Sequence, residues 1–196
     1  KNWINHHIND VLYFAKKYRF IRKLNFIEHH LSHAAASFFT SPFKKSYIFT
    51  SDGKGDFKSS TCYIGDNESL KELNYNSTFE SLGYFYSNIT IALGFKPEKH
   101  EGKITGLAAY GNKTDLIDYF ESFITFKENK LKIITGKDYQ PFFCKKKHIP
   151  NFYSKLKKYN NFDISYAAQY ILEKYTLKWI KSNLPKNRSH NICLGG

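Results

Sequence analysis

Methionine is absent from the 196 residues, tryptophan occurs twice, and there are only three cysteines and five prolines. With no initiating methionine, and with Lys1 falling inside an amphipathic pattern, the chain reads as a segment of a longer protein. Cys62, Cys144 and Cys193 are odd in number, far apart and without a CxxC pair. That spacing argues against a disulfide frame or a zinc knuckle and fits reduced thiols in the cytoplasm. No apolar run approaches the roughly 18–20 residues that cross a membrane. GxSxG is missing and no cysteine stands in a known nucleophile motif, so a serine or cysteine nucleophile lacks context.

Acidic residues are also scarce, 17 against 30 basic, which leaves a net charge of +13. The basic runs KKYRFIRK (16–23) and CKKKH (144–148) carry no ordered aromatic pattern, so a solvated basic surface is the expectation and nucleic acid is disfavoured as a partner. Eighteen Phe and fifteen Tyr beside abundant Lys, Asn and Ile fit an AT-rich coding sequence, which weakens a functional reading of the charge. At 41% hydrophobic and 24% charged, the composition is that of a globular domain.

Apolar spacing predicts a helix over 3–18, a short strand over 24–28 (LNFIE) and a helix over 29–40 that Ser41-Pro42 stops. YIFTSD (47–52) and SSTCYIG (59–65) are β-branched runs joined by GKGDF, a hairpin signal. A strand over 70–75 and a helix near 82–93, closed by Gly94, follow. GKITGLAAYG (102–111) suggests a buried loop and short helix where backbones come close. A helix over 114–122, a strand over 131–135, a basic loop over 137–150, a helix over 162–182 and a last strand in NICLGG complete an α/β mixture.

Three stretches could carry chemistry. IEHHLSHAAASF (27–38) places three histidines within five residues. On a helix His29 and His33 lie about 40° apart around the axis and His30 and His33 about 60°, so either pair could share a metal ion. A helix cap or core role competes with that reading, and the residue after each candidate first histidine is not the glutamate of a zinc protease. In SDGKGD (51–56), Gly53 and Gly55 would allow backbone N–H groups to converge on phosphate, with Asp52 and Asp56 beside Mg²⁺, although Asp-Gly also serves plain hairpins. GLAAYGNKT (106–114) fails as a P-loop because Asn112 separates the second glycine from Lys113. Glu101 and Lys103 upstream are candidate pocket residues or a surface ion pair.

Taken in order, EHHLSHAAASFFTSPF, SDGKGD, SLGYFYSNITIALGF, HEGKITGLAAYG, FDISYAAQYILEKY and ICLGG resemble the O-carbamoyltransferases of the nodulation and antibiotic-tailoring type. The matched stretches run from residue 28 to 196, and the order makes the resemblance more specific than any one motif. The resemblance implies a catalytic domain related to the tRNA threonylcarbamoyl transferases, with the duplicated ribonuclease-H-like fold of actin, Hsp70 and sugar kinases. Residues 1–45 would end its first half and 46–196 form most of its second.

The same resemblance implies a divalent metal (Fe, Zn or Mn) on His29 and His33; beside it, His30 as the base and Lys103 as a pocket residue are this reading's own catalytic candidates. The resemblance also implies Mg-ATP or carbamoyladenylate at Asp52, Gly53, Gly55 and Asp56, with Gly195 and Gly196 on the adenosine side. Carbamoyl phosphate would be the donor and a small-molecule or sugar hydroxyl the acceptor, with no membrane partner and a homo-oligomer left open. Thr105 stands where the family usually has Met. The third metal ligand, an aspartate, and the adenylate-forming domain are expected outside this chain, which alone should be inactive. Two other readings are a threonylcarbamoyl transferase acting on tRNA and a non-catalytic actin-like nucleotide-binding module.

Overall fold

The consecutive buried residues 48–50 and 59–63 are what a sheet covered on both faces requires, and the chain supplies helices to cover each face. A computed structural model describes residues 2–18, 25–136, 138–142, 146–186 and 189–196, with no account of side chains 2–7. The elements are α1 (Asn2–Lys17), α2 (His29–Phe39), β1 (Lys45–Gly55), β2 (Lys58–Asp66), β3 (Ser69–Ser77) and a 3₁₀ turn (Thr78–Glu80). Then come α3 (Leu82–Ala92), α4 (Glu101–Ala108), α5 (Leu116–Glu121), β4 (Ile124–Lys127), β5 (Lys130–Ile133), α6 (Pro150–Leu156), α7 (Asn161–Asn183) and β6 (Ile192–Gly195).

The main sheet has the order β3-β2-β1-β6. β1, β2 and β3 form an antiparallel meander, and β6 returns parallel to β1, pairing Tyr47 with Ile192 and Thr50 with Gly195. A parallel return needs a long crossover, and α3 to α7 supply it. On one face Ile48, Tyr63 and Cys193 pack against Ala34 and Phe38 of α2. On the other, Phe49 and Cys62 pack against Trp179 of α7. The larger core lies among the crossover helices, where Phe85, Phe120, Phe123, Tyr139 and Phe152 meet edge-on, tilted or stacked in one cluster with Ile171. Removing a fully buried side chain such as Ile171 costs about 2–5 kcal/mol in cores of this kind.

The mixed α/β character agrees with the sequence reading, and several local expectations need correction. Residues 25–28 form no strand, and Phe26 and Ile27 are exposed, because none of the described strands pairs with them; residue 24 lies outside the described residues. In GKITGLAAYG the expected short helix forms as part of α4, but the stretch is mostly solvent-facing rather than buried, α4 burying only Ile104 and Ala108. Of its glycines, Gly102 and Gly106 have open space, and only Gly111 is closely approached, by the Phe162 carbonyl. The short strand β4 and helix α6 were not expected. Cys144 and residues 19–23 of the first basic run lie outside the described residues.

The β1–β2 hairpin forms as expected, but its left-handed residues are not the glycines. Asp56 (φ 47°) and Phe57 (φ 67°) make the two-residue turn between Gly55 and Lys58. That is the backbone of a type I′ turn, in which asparagine and glycine are favoured and a bulky exposed ring is not. Phe57→Asn should therefore raise unfolding stability by about 1 kcal/mol, the cost of a left-handed conformation for such a residue. Urea denaturation measures it, and an unchanged midpoint would contradict the strain.

Candidate functional site

α2 begins at His29 because Glu28 caps it, its carboxylate accepting the N–H groups of His30 (3.1 Å) and Leu31 (2.8 Å). The helical spacing then stacks His33 one turn above His29. β1 brings the third group. Ile48 faces α2, so Thr50 and Asp52, two and four residues on, face it as well.

The three side chains converge. His29 Nε2 lies 2.7 Å from Asp52 Oδ2, His33 Nε2 lies 3.1 Å from His29 Nε2, and His33 Nε2 lies 3.6 Å from Asp52 Oδ2. All three are about one-third exposed, so an ion or substrate reaches them from solvent. A tetrahedral ion with bonds of about 2.0–2.1 Å needs donor atoms roughly 3.3 Å apart, and the observed edges scatter around that value. The donor set of two imidazoles and a carboxylate suits Zn, Fe or Mn. His29, His33 and Asp52 are the one such cluster among the described residues.

Asp52 is itself oriented, its Oδ1 accepting the Gly53 N–H at 2.7 Å. Burial pushes its carboxyl up, but the His29 hydrogen bond and the Gly53 N–H outweigh that and hold it below the usual aspartate value.

The glycines make room. A Cβ on Gly55 would sit 2.0 Å from the His29 ring, one on Gly195 would sit 2.3 Å from Ser37 Oγ and 3.1 Å from the His33 carbonyl, and one on Gly196 would sit 2.0 Å from the Ser51 carbonyl. They let α2, β1 and β6 approach, whatever else they bind. Asp56 is exposed, and its carboxylate accepts the His29 N–H at 2.8 Å.

Two assignments fare differently from expectation. His30 is fully buried, its Nδ1 2.7 Å from Thr50 Oγ1, and burial lowers its pKa; it does not open to solvent as a base for an incoming hydroxyl should. Lys103 is exposed and stands 5.4 Å from the Phe95 ring, outside the cleft. The expected ligand beyond the chain has a counterpart inside it, because Asp52, read in sequence as a phosphate-loop residue, joins the histidines. Cys62 is buried, with a thiol pushed up to about 12, and Cys193 is buried too, which leaves neither poised as a nucleophile.

A cleft of about 620 Å³ adjoins the triad, and Asp52, Lys54, Tyr86, Glu101 and Gln169 are among its lining residues. That volume suits a small-molecule site. Glu101 Oε1 accepts the Ser87 hydroxyl (2.8 Å) and the Glu98 N–H (2.7 Å). Tyr86 donates to Gln169 at 2.9 Å. Sequence singled out Glu101 but gave no sign of Ser87, Tyr86 or Gln169, which come from α3 and α7.

A profile of the carbamoyltransferase N-terminus matches residues 4–196. An uncharacterized protein of Methanocaldococcus jannaschii is 34% identical over 182 residues, covering 91% of this chain and 34% of its own length. Nodulation protein NolNO of Sinorhizobium fredii is 37% identical over 107 residues, or 55% of this chain and 16% of its own. Nodulation protein NolO of Bradyrhizobium diazoefficiens is 34% identical over 97 residues, or 50% and 18%. The chain thus spans about a third or less of the length of these relatives.

Burial pushes the Glu101 carboxyl up, but the Glu98 N–H and then the Ser87 hydroxyl outweigh it, so its folded value lies below the ordinary 4.5. A depressed carboxyl contributes stability that is present above the unfolded value and lost as pH falls through the folded one. Ser87→Ala should therefore be less stable than wild type by about 1 kcal/mol at neutral pH, and the gap should close below about pH 4. Thermal unfolding from pH 3 to 7 checks this, and a gap that does not change with pH would contradict it.

Proposed function

We propose, for a chain that belongs to the carbamoyltransferase N-terminus family, that His29, His33 and Asp52 hold one divalent metal ion beside a cleft for a carbamoyl donor and its acceptor. The convergence of the three donor side chains carries this reading. The ion is Fe, Zn or Mn on the chemistry of its donors. When bound it supplies Lewis acidity toward a carbamoyl oxygen or an acceptor hydroxyl.

The chain's own residues do the rest. Asp52 holds the His29 ring, with Gly53 N–H fixing the carboxylate. Lys54 brings positive charge to the cleft mouth for phosphate-bearing ligands, and Glu101 and Gln169 offer groups for hydroxyls. The donor is carbamoyl phosphate through an ATP-derived carbamoyladenylate, and the acceptor is a hydroxyl on a small molecule or sugar. A further aspartate and the adenylate-forming domain come from sequence beyond the chain. Nodulation proteins among the relatives support a biosynthetic setting.

The fold proposed is the second half of a duplicated ribonuclease-H-like domain over 46–196, with 1–45 ending the first half. Support comes from the antiparallel meander followed by a helical crossover to a parallel strand beside β1. A cytoplasmic setting is supported by the free thiols of Cys62 and Cys193; no helix of the described residues is long and apolar enough to cross a membrane. The +13 charge favours, as the second reading, a tRNA acceptor, which would bind with a steep salt dependence.

The test is AMP release by the full-length protein, dependent on both ATP and carbamoyl phosphate, together with its metal content. His33→Ala should lower carbamoyl transfer by at least about 100-fold, more than loss of an outer partner costs, and should remove the bound metal. Full activity in His33→Ala, or wild-type protein with no metal, contradicts the proposal.

A further inference from the structure

Among the described residues just upstream of α2, few pack against its start, and within its first turn His30 is buried against Thr50. Phe26 and Ile27, which lead into it, are 71% and 63% exposed. Its buried apolar anchors, Ala34 and Phe38, lie beyond the first turn. The free N–H groups of that turn go instead to carboxylates: His29 to Asp56, and His30 and Leu31 to Glu28.

Glutamate is an uncommon choice there, since Ser, Thr, Asp and Asn cap with a shorter reach. The added length has a visible use. Glu28 Oε2 also accepts from the Tyr63 hydroxyl at 3.2 Å, and that hydroxyl lies 3.0 Å from Glu72 Oε2. Lys58 joins Glu72 at 2.5 Å and stands 4.0 Å from Glu28. Tyr63 is 4% exposed and packs its ring in the core beneath α2, so its hydroxyl reaches the helix cap from a fixed base on β2. The one phenolic proton is thus shared between two carboxylates, Glu72 being held also by the Lys58 ammonium, and the other, Glu28, caps the turn that carries His29.

We propose that Glu28, Tyr63, Glu72 and Lys58 form a clamp that sets the rotation of α2, and through it the placement of the His29 ring against Asp52. These are positioning residues, and the proposal rests on the metal reading of the triad. The magnitudes favour it over a bare capping role. A side-chain tip lies about 5–6 Å from a helix axis, so a 10° slip moves it about 1 Å. Metal–ligand distances tolerate only about 0.2 Å. A cap alone fixes N–H groups; the link to Tyr63 fixes the helix against the sheet.

Two variants separate the link from the cap in the full-length protein. Glu28→Asp keeps a good cap but is too short to reach Tyr63, and Tyr63→Phe removes the hydroxyl and leaves the ring. Cobalt(II) titration followed by visible absorption should show about tenfold weaker binding in both, the lower end of what an outer partner is worth. In metal-free protein the ¹⁵N signals of the His29 ring should shift in both variants as its hydrogen bond to Asp52 loosens. Should Glu28→Asp fail to fold, Tyr63→Phe decides alone. Wild-type affinity together with wild-type ring signals in the variants overturns the clamp. If wild-type protein binds no cobalt(II), the metal reading fails and the ring signals still decide the clamp: shifted supports it, unshifted overturns it.

Discussion

The structure depends on how closely α2 can lie against the far ends of β1 and β6. Any side chain at Gly55, Gly195 or Gly196 would collide with the His29 ring, the top of α2 or the Ser51 carbonyl. With those positions clear, a helix and a strand that are remote in sequence bring two imidazoles and a carboxylate within hydrogen-bonding or near-contact distance. The long crossover through α3 to α7 serves the same end, since it returns β6 parallel to β1 and places its glycines beside α2. The Ala34 and Phe38 packing, the cap at Glu28 and the Asp56 bond to the His29 N–H all act on this one approach.

Much of the scaffold was legible because periodicity reports burial. The helices over 29–39 and 161–183 and the strands around 45–66 follow from spacing that local propensity and core contacts both favour. Of the strand expected over 24–28, residues 25–28 form none, because an apolar run becomes a strand only beside a sheet neighbour and no described strand lies next to them. β4 was missed because ITFK, four residues long, becomes a strand only by pairing with KLKI. The expected left-handed glycines of the hairpin proved wrong in an instructive way: Gly55 is needed for space beside His29, while Asp56 and Phe57 take the positive φ.

The candidate site was half legible. Helix geometry paired His29 or His30 with His33 and could not choose; burial of His30 against Thr50 now separates them. Asp52 was visible, but in another role. The face it shares with Ile48 and Thr50 was readable from strand alternation, whereas the fact that α2 covers that face was not. Lys103 carried the right charge next to the right glutamate, yet its ammonium rests near Phe95, and only Glu101 turns into the cleft. Ser87, Tyr86 and Gln169 carry no signal of their own, because their role depends on how three helices meet.

The chain carries 30 basic residues against 17 acidic ones, while the candidate site's own groups are one carboxylate and two imidazoles. Such a pairing suits a cation held by the triad and anionic ligands drawn to its neighbourhood. The most direct test of the account is an anomalous-difference map from crystals of the full-length protein grown with cobalt(II) and measured at the cobalt edge. A single strong peak about 2.0–2.2 Å from His29, His33 and Asp52 is the predicted result. No peak there, with His29 still hydrogen-bonded to Asp52, would contradict it.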